Sequence, residues 1–521
     1  MSNPQTPQAT RLEGDAYTQK QSTQQAEGIP SAAKRPLDFT PFEAVLADFP
    51  ASRAEQIAEL TAQATLIDLQ WMLAARQLTS VELLVYYLGR IRRYDADRLN
   101  SILELNPEAL RDAQAMDQER EAGKVRGFMH GIPVALKDNI NTGDRMHTAA
   151  GSAVLADNIA PNDAPLVTNL RQSGAVILGK NNLSEWANFY SKASVNGFSV
   201  LGGFTRNPYG RFDVGGSSSG SAVSVAANFV TVSLGTETTG SIVYPASQNA
   251  VVGLKPSLGM ISAEGIIPIT AAFDTAGPFG RNVTDVAILF SVLAPNSGVS
   301  LDTLREDALQ GVRIGFCIHQ TPWREGDQEV RVQAIEYLKR AGAEVIDVPS
   351  MEAFVGEAVH NRLHKESFEV MLCGYRIGLE SYFQMVGAPV KALAELVAFN
   401  LVNPEVCIPF GQDLIEAAAS LTDETLEAYP ILAARVVSEY QAATRRALAE
   451  HGVDFLADLT NYASPYHSRA GFPALTLPAG YRPSGEPLGM TLFGEHGTEA
   501  RLLALGYAFE HVSQVRRMPR L

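Results

Sequence analysis

The sequence is short of cysteine, of positive charge and of long apolar runs, and each shortage narrows the class of protein. Its 521 residues include three cysteines, Cys317, Cys373 and Cys407. They are too few and too scattered for a disulfide framework or a zinc knuckle, which favours a reducing compartment. With 42 Lys and Arg against 57 Asp and Glu, the net charge is −15. We therefore expect neither nucleic acid nor an anionic membrane as a partner.

No stretch reaches the roughly 18 apolar residues of a transmembrane helix. The longest candidate, 222–234, is interrupted by serine and asparagine. The first 40 residues are rich in Gln, Ser and Pro and lack the apolar segment of a secretory signal. We interpret residues 1–45 as a flexible N-terminal arm and residues 46–521 as one domain, and we expect a cytoplasmic protein.

Helical and extended patterns alternate along much of the chain. Helical spacing across 66–94, divided at Thr79–Ser80, predicts two helices, the second with a capping box from Thr79 to Glu82. Similar patterns predict strands at 99–105, 131–136, 175–179, 251–257, 312–317, 472–478 and 488–493, and helices at 107–121, 284–294, 330–341, 431–451 and 501–515. The alternation predicts an α/β fold with a largely parallel sheet covered on both faces.

Residues 301–458 have a different composition, with many acidic residues and few glycines. We interpret this segment as a mainly helical layer or insertion that supplies one wall of a substrate pocket. Its aromatic residues could line that wall, although their helical spacing favours core positions. The candidates among these aromatic residues are Trp323, Phe368, Tyr375, Tyr382 and Phe383.

The segment 215–245, GGSSSGSAVSVAANFVTVSLGTETTGSIVYP, carries the strongest sign of chemistry. A serine hydroxyl becomes a good nucleophile only when a base takes its proton, and the resulting oxyanion needs hydrogen-bond donors. Glycines beside serines let backbone N–H groups approach a substrate closely. A flexible linker has a similar composition, but the uncharged apolar run that follows the first serines favours burial.

Two familiar motifs are approximated here without their structural context. Gly216–Gly220 fits G-x-S-x-G with Ser218 as nucleophile, but residues 207–214 predict no strand before it. Residues 174–180 approximate a phosphate-binding loop, but Asn181 replaces the magnesium-binding Ser or Thr, and the apolar strand lies inside the motif. We interpret both as structural.

Histidine offers no clear base or metal site. His360 and His364 could share a helix face as two metal ligands, but no H-E-x-x-H motif accompanies them, and a solvated or partner-facing helix is favoured. His147 and His467 lie in loop-like stretches without a triad order. We expect no metal.

Lys137 is the best candidate for the base. It follows the apolar run GIPVAL, so a buried strand would deliver its side chain into a site with little water. Desolvation lowers the pKa of lysine and makes its neutral amine available near pH 7. Taken alone, however, a surface lysine paired with Asp138 explains the same residues.

Three segments together resemble the amidase signature family. They are GIPVALKDN around Lys137, GGSSSGSA around Ser217 and GTETTGSIVYP around Ser241. The blocks GAVILGKNNLSEWANF, FDTAGPFGR and AGFPALTLPAG are also similar, so the resemblance covers 66–294 and 470–510, with 301–458 matching loosely. The family implies a single large mixed β-sheet sandwiched between helices, amide hydrolysis and no cofactor.

The resemblance also implies roles for individual residues. Ser241 is the implied nucleophile, Ser217 a bridging serine usually found with a cis peptide bond, and Lys137 the base. The implied oxyanion-hole amides are those of Thr238, Thr239, Gly240 and Ser241, and the implied substrate contacts are Gly216 and Ser218.

This sequence departs from the family pattern close to the implied nucleophile. Thr239 stands where many members have Gly, Val243 where many have Arg, and Glu237 where Asp is commoner. GTETTGSIVYP and the ending QVRRMPRL are most similar to bacterial peptide amidases. We expect a small-molecule amide as substrate: a peptide amide, an aryl amide or a related small amide.

Other functions remain open on the same fold. The chain could be the amidase subunit of a tRNA-dependent amidotransferase, although the Gln-rich arm and the acidic charge do not suggest it. A carbamate or ester hydrolase is a second option, and a binding protein without catalysis is a third. The oligomeric state is open, with a homodimer among the options.

Overall fold

The computed structural model describes residues 33–319 and 324–521. Most of the predicted N-terminal arm, residues 1–32, and the predicted pocket aromatic Trp323 lie outside the described residues.

The described end of the predicted arm makes contacts with the rest of the chain. The backbone N–H of Arg35 donates to the carbonyl of Leu201 at 2.9 Å, and Lys34 pairs with Asp97 at 2.8 Å. Phe42 is fully buried. The chain is therefore attached to the folded body from about residue 34 onward.

Most strands belong to one large sheet. They are β1 (Ile102–Leu105), β2 (Pro133–Lys137), β3 (Val176–Asn181), β4 (Phe198–Ser199), β5 (Gly203–Phe204), β6 (Val232–Glu237), β7 (Val252–Lys255), β8 (Thr275–Gly280), β9 (Arg313–Ile318), β10 (Glu344–Pro349), β11 (Phe455–Leu459), β12 (Ala474–Tyr481) and β13 (Pro487–Phe493). The spatial order of the 11-stranded sheet is β1-β3-β2-β6-β8-β7-β12-β13-β11-β9-β10, and β4 pairs with β5 separately.

The strand directions are mixed. β2 runs parallel to β3 and β6, and β9 runs parallel to β10 and β11, whereas the other neighbouring pairs are antiparallel. The mixed sheet implied by the family resemblance is confirmed, and the largely parallel sheet predicted from the alternation of patterns is wrong. A short turn between β12 and β13 reverses the chain, and a turn of that length can join only antiparallel neighbours.

Helices flank the sheet throughout the described residues. They are α1 (Glu43–Ala47), α2 (Ala51–Thr61), α3 (Leu66–Ala74), α4 (Ser80–Arg90), α5 (Ala109–Glu121), α6 (Pro165–Gln172), α7 (Ser219–Ala226), α8 (Val243–Gln248), α9 (Val283–Leu293), α10 (Asp327–Arg340), α11 (Met351–Val355), α12 (Glu357–Val386), α13 (Leu393–Val402), α14 (Pro404–Cys407), α15 (Asp413–Ala419), α16 (Asp423–His451), α17 (Ser464–Ser468) and α18 (Glu499–Ser513). Single 3₁₀ turns lie at Thr40–Phe42, Ala153–Leu155, Glu185–Asn188 and Leu301–Thr303, and a π-helical segment at Ile91–Leu99. The capping box predicted at Thr79 and Glu82 is confirmed at the start of α4.

Two hydrophobic cores cover the two faces of the sheet. Along β9, Phe316 belongs to the first core and Cys317 to the second; along β12, Leu475 and Ala474 divide in the same way. This alternation follows from the two-residue period of a strand. None of the described helices combines the length and the apolar character needed to cross a membrane.

Residues 301–458 are mainly helical, but they also complete the sheet. β9 and β10 form one edge and β11 pairs with β9, so the segment is joined to the main fold by backbone hydrogen bonds. The pattern did not predict β10, whose sequence EVIDVP carries two acids that suit a partly exposed edge strand.

Two interior strands, β2 and β6, bring the predicted site residues together at their carboxyl ends. They are parallel neighbours with Leu136 opposite Leu234, so their carboxyl ends lie side by side. β2 ends at Lys137, and the segment leading to Ser241 follows β6. α7 packs against both strands and presents Ser217 just before its first turn.

Gly220 makes this approach of α7 feasible, and we predict that Gly220→Ala destabilises the fold. An added Cβ would lie 2.3 Å from the carbonyl oxygen of Ser101 and 2.4 Å from that of Asn182. Because both are backbone atoms, we expect a loss of about 1–3 kcal/mol from overpacking.

Gly89→Ala in α4 is the matched control for Gly220→Ala. The nearest atom to its added Cβ would be Leu46 Cδ2 at 3.9 Å, so the variant should gain about 0.5–1 kcal/mol from helix propensity. Calorimetric melting of both variants checks the pair. Equal melting temperatures for the two would contradict the close approach.

Candidate active site

Lys137 lies at the centre of the candidate site and is completely buried. Its Nζ lies 2.7 Å from Ser217 Oγ, 3.0 Å from Ser218 Oγ and 2.9 Å from Thr236 Oγ1. A fourth contact, at 3.2 Å, reaches the carbonyl oxygen of Thr236. All four are uncharged oxygens, so the amine is solvated by protein dipoles without a directly bound carboxylate.

This environment lowers the pKa of Lys137 from 10.5 to about 7. Burial is the main cause, because removing water disfavours the charged form. The negative charges of Asp274 and Glu237 act in the opposite sense. A substantial fraction of the amine is therefore neutral near pH 7, as a general base requires.

Ser217 is held by close contacts of its backbone and of the residue before it. Its carbonyl accepts a 3.0 Å hydrogen bond from the N–H of Ser184, and the Gly216–Ser217 peptide bond is cis. Gly216 has no room for a side chain, since a Cβ would lie 2.6 Å from both Ser184 Oγ and Asn196 Oδ1. In this setting the hydroxyl of Ser217 faces Lys137.

Ser218 belongs to the same buried network. Its hydroxyl donates to the carbonyl of Thr236 at 3.0 Å and accepts from the N–H of Thr236 at 3.2 Å, besides its contact with Lys137. The preceding segment carries no strand, so the G-x-S-x-G motif is not a strand-to-helix elbow. The substrate contacts predicted for Gly216 and Ser218 stay predictions.

Ser241 lies at the more open side of the site. It is 8% exposed, whereas Lys137 and Ser217 are 0% exposed, and its carbonyl accepts a 3.2 Å hydrogen bond from the N–H of Ser218. The two serine segments are thus joined through the backbone. This order of burial would let a substrate reach Ser241 first.

The loop 238–241 presents a run of backbone N–H groups. Gly240 has a φ of +83°, which favours glycine and turns the chain before α8. No hydrogen bond between described residues uses the N–H of Thr238, Thr239, Gly240 or Ser241. Their role as an oxyanion hole stays a prediction.

Sequence reasoning missed Thr236 and Asp274. Thr236 offers two oxygens to Lys137, and Asp274 accepts a 2.6 Å hydrogen bond from Thr238 Oγ1. The register of β2 and β6 was the missing information for Thr236. Asp274 stood in the recognised block FDTAGPFGR, which gave no sign of its partner.

None of the hydrogen bonds of Lys137 with described residues involves one of the four candidate histidines. His360 and His364 stack on α12 with ring centroids 6.4 Å apart, and His147 pairs with Glu104 at 2.8 Å. His467 is buried, with Nδ1 3.2 Å from Ser468 Oγ. Among the described residues, no group of three or more His, Cys, Asp or Glu side chains is arranged to hold a metal ion.

The four described aromatic residues predicted for the pocket wall pack in the second core. Tyr375, Tyr382 and Phe383 are buried, and Phe368 is partly buried against that core. Tyr375 meets Phe189 edge-on at 5.2 Å between ring centroids. These four positions therefore agree with the core interpretation, and a pocket wall from this segment stays a prediction.

The large mixed sheet and the buried lysine hydrogen-bonded to Ser217 agree with the resemblance to the amidase signature family. A family model described as Amidase matches residues 82–503. A probable amidase of Arabidopsis thaliana is 34% identical over 88% of this chain and 91% of its own length. The chain belongs to the amidase family, and it is a hydrolase of amide bonds.

Two further comparisons bear on specificity. The native peptide amidase of Stenotrophomonas maltophilia has a TM-score of 0.80 and 39% identity, covering 88% of this chain and 99% of that one. A glutamyl-tRNA(Gln) amidotransferase subunit from Symbiobacterium thermophilum is 31% identical over 84% of this chain and 95% of its own length. The predicted family and amidase activity are confirmed.

We predict that kcat/KM rises with pH around a midpoint of about 7, because only neutral Lys137 can accept a proton. The profile should reach a plateau at alkaline pH. Lys137→Arg should be inactive across this range, since a guanidinium stays protonated. A flat profile from neutral to alkaline pH, or an active arginine variant, would contradict a lysine base.

Proposed function

We propose that this amidase cleaves linear amides through a Ser241 acyl-enzyme, with Ser217 and Lys137 completing the proton relay. The observation that carries the proposal is the 2.7 Å contact between Lys137 Nζ and Ser217 Oγ, with both residues fully buried. In such a site a neutral amine can take a hydroxyl proton without competition from water.

The relay begins when neutral Lys137 accepts the proton of Ser217, which in turn accepts the proton of Ser241. The Ser241 oxygen then attacks the amide carbonyl and forms a tetrahedral oxyanion. The N–H groups of the loop 238–241 stabilise that oxyanion. The relay returns a proton to the departing amine, which leaves the acyl group on Ser241.

Hydrolysis of the acyl-enzyme follows the same path in reverse. Water gives a proton through Ser217 to Lys137 and attacks the ester carbonyl of Ser241. Collapse of the second tetrahedral intermediate releases the carboxylic acid and returns the proton to Ser241. The cycle needs only the chain's own residues, the amide and water.

We propose peptide amides or aryl amides as the substrate class. Support comes from the 39% identity to a peptide amidase and from Val243, a buried apolar residue where many family members have Arg. Because no arginine stands at this position, an uncharged substrate group can bind near Ser241 without removing water from a cation. Carbamates and esters remain chemically compatible with the same relay.

A second candidate is the ammonia-releasing subunit of a tRNA-dependent amidotransferase, favoured by the 31% identity to such a protein. That enzyme class would use the same relay on glutamine and pass ammonia to a partner protein. The peptide amidase proposal is preferred because its identity and coverage are higher.

We also propose a cytoplasmic setting and a small-molecule amide as the partner, without nucleic acid or membrane. The three cysteines are unpaired and buried, which suits a reducing compartment. The oligomeric state is open, with a homodimer among the options, and light scattering would determine it.

Ser241→Ala should lower kcat by about 10³-fold or more, because the residual rate would rely on binding and the oxyanion donors alone. A fluorophosphonate probe should label the unmodified chain and spare this variant. Ser224→Ala, which alters another buried serine in α7, is the matched control and should keep both activity and labelling. Labelling that persists in Ser241→Ala would refute the assigned nucleophile.

A substrate comparison separates the two candidate functions. We expect ammonia release from a C-terminally amidated peptide with kcat/KM at least about 10-fold above that for free glutamine, a difference of about 1.4 kcal/mol in transition-state binding. The same peptide with a free carboxyl end should release none. A preference for glutamine would favour the amidotransferase function instead.

A further inference from the structure

Two carboxylates contact the two ends of the loop 238–241. Glu237 precedes the loop as the last residue of β6, and Asp274 precedes β8, the neighbouring strand. Glu237 is buried and Asp274 is half-buried. Glu237 contacts the two residues that follow the loop, and Asp274 contacts the first residue of the loop.

Glu237 closes the far end of the loop. Its Oε2 accepts hydrogen bonds from the N–H of Ile242 at 2.7 Å and of Val243 at 3.0 Å. These two residues follow Ser241 directly. One carboxylate oxygen therefore joins the end of β6 to the start of α8 and fixes the separation of the residues between them.

The second oxygen of Glu237 is held from another part of the chain. Oε1 accepts a 2.6 Å hydrogen bond from Ser468 Oγ at the end of α17. Lys255, on the strand β7, also lies near Glu237 and contributes a positive charge. Glu237 is thus fixed on both oxygens and cannot rotate without breaking a contact.

Asp274 fixes the near end of the loop. Its Oδ1 accepts from Thr238 Oγ1 at 2.6 Å, while Oδ2 accepts from the N–H of Ile269 at 2.7 Å and of Thr270 at 2.9 Å. The hydroxyl of Thr238 thus ties the first residue of the loop to a carboxylate that is itself anchored by backbone.

We infer that Glu237 and Asp274 are positioning residues that together hold the loop 238–241 in the geometry its amides need to bind an oxyanion. We name this pair the carboxylate clamp. The inference rests on the proposed function, since it assigns the loop the oxyanion-binding role. Neither carboxylate is given a bond to the substrate.

The clamp suits the chemistry because oxyanion donors act only when they are held in place before the reaction. A donor must lie about 2.7–3.1 Å from the oxyanion, and removing one such donor typically costs about 10²- to 10³-fold in rate. The N–H groups of the loop make no hydrogen bond to the described residues, so no such bond holds them in place. The carboxylates hold the ends of the loop and leave the amides available.

The charges of the clamp also act on Lys137. The charged groups that act on this amine are Asp274 and Glu237, and each raises its pKa against the effect of burial. Neutralising either carboxylate should therefore lower the pKa of Lys137. A structural role alone would not shift the pH profile in this way.

The test uses the neutral replacements Asp274→Asn and Glu237→Gln in the full-length enzyme. Each keeps the size of the side chain but presents an NH₂ group to an N–H or O–H donor. We expect kcat to fall by about 10- to 100-fold with KM changed less than about 3-fold, and the midpoint of the pH profile to move to lower pH.

Asp285→Asn is the matched control. Asp285 in α9 is buried and accepts a 2.6 Å hydrogen bond from the N–H of Leu66, and none of its hydrogen bonds with described residues reaches the loop. Its replacement should lower the melting temperature while leaving kcat and the pH midpoint unchanged. A loss of kcat in this variant equal to that in the clamp variants would overturn the clamp.

Thr238 supplies a second arm of the test. Thr238→Val removes the hydroxyl that binds Asp274 and keeps the backbone amide, whereas Thr238→Ser keeps both. Valine should reproduce the loss of kcat seen in Asp274→Asn, the double variant should add little to either, and serine should retain most of the activity. Additive losses in the double variant would overturn the link through Thr238.

Fluorophosphonate labelling of the unmodified enzyme separates the clamp from the proposed function. If the probe fails to label Ser241, the proposed function fails and the clamp fails with it. If Ser241 is labelled and both clamp variants keep kcat, only the clamp is overturned, even where the pH midpoint moves, because the charge alone would move it.

Discussion

A lysine amine surrounded by neutral oxygens and withdrawn from water is the constraint on which the rest of the site depends. Lys137 touches two serine hydroxyls and both oxygens of Thr236, and none of these contacts offsets a positive charge as a carboxylate would. Burial therefore lowers the pKa of this amine to about 7, so that a substantial fraction is in the neutral form near pH 7. The proposed chemistry needs that form.

Several features of the fold exclude water from the surroundings of Lys137 and leave little space there. β2 lies inside the sheet between β3 and β6, so its carboxyl end is covered by neighbours on both sides. α7 approaches closely because Gly220 leaves room for the backbone carbonyls beneath it. Gly235 on β6 does the same for Ser218, whose Oγ would lie 2.6 Å from an added Cβ. Glycine is required at these two positions because a side chain would lie too close to neighbouring atoms. Its conformational freedom is secondary.

The sequence predicted the family and the burial of Lys137 better than it predicted the connections between strands. The apolar run ending in Lys137 suggested a buried lysine, although a surface lysine fitted the same residues, and the roles of Ser217 and Ser241 came from the family resemblance alone. Strand direction could not be predicted from local patterns, because it depends on which strands become neighbours. β12 and β13, for example, become antiparallel neighbours through the turn that joins them. The contact between Thr238 and Asp274 joins distant parts of the chain, and no periodicity in either segment encodes it.

The hydrogen bond between Thr270 and Tyr429 has a consequence for how such an enzyme can diverge. Thr270 Oγ1 lies 2.9 Å from Tyr429 Oη, and the N–H of Thr270 also binds Asp274. Tyr429 belongs to α16, within the segment that matches the family most loosely. If the predicted pocket wall includes this helix, a substitution there that changed substrate selectivity would also move Thr270 and Asp274, so selectivity and rate would change together.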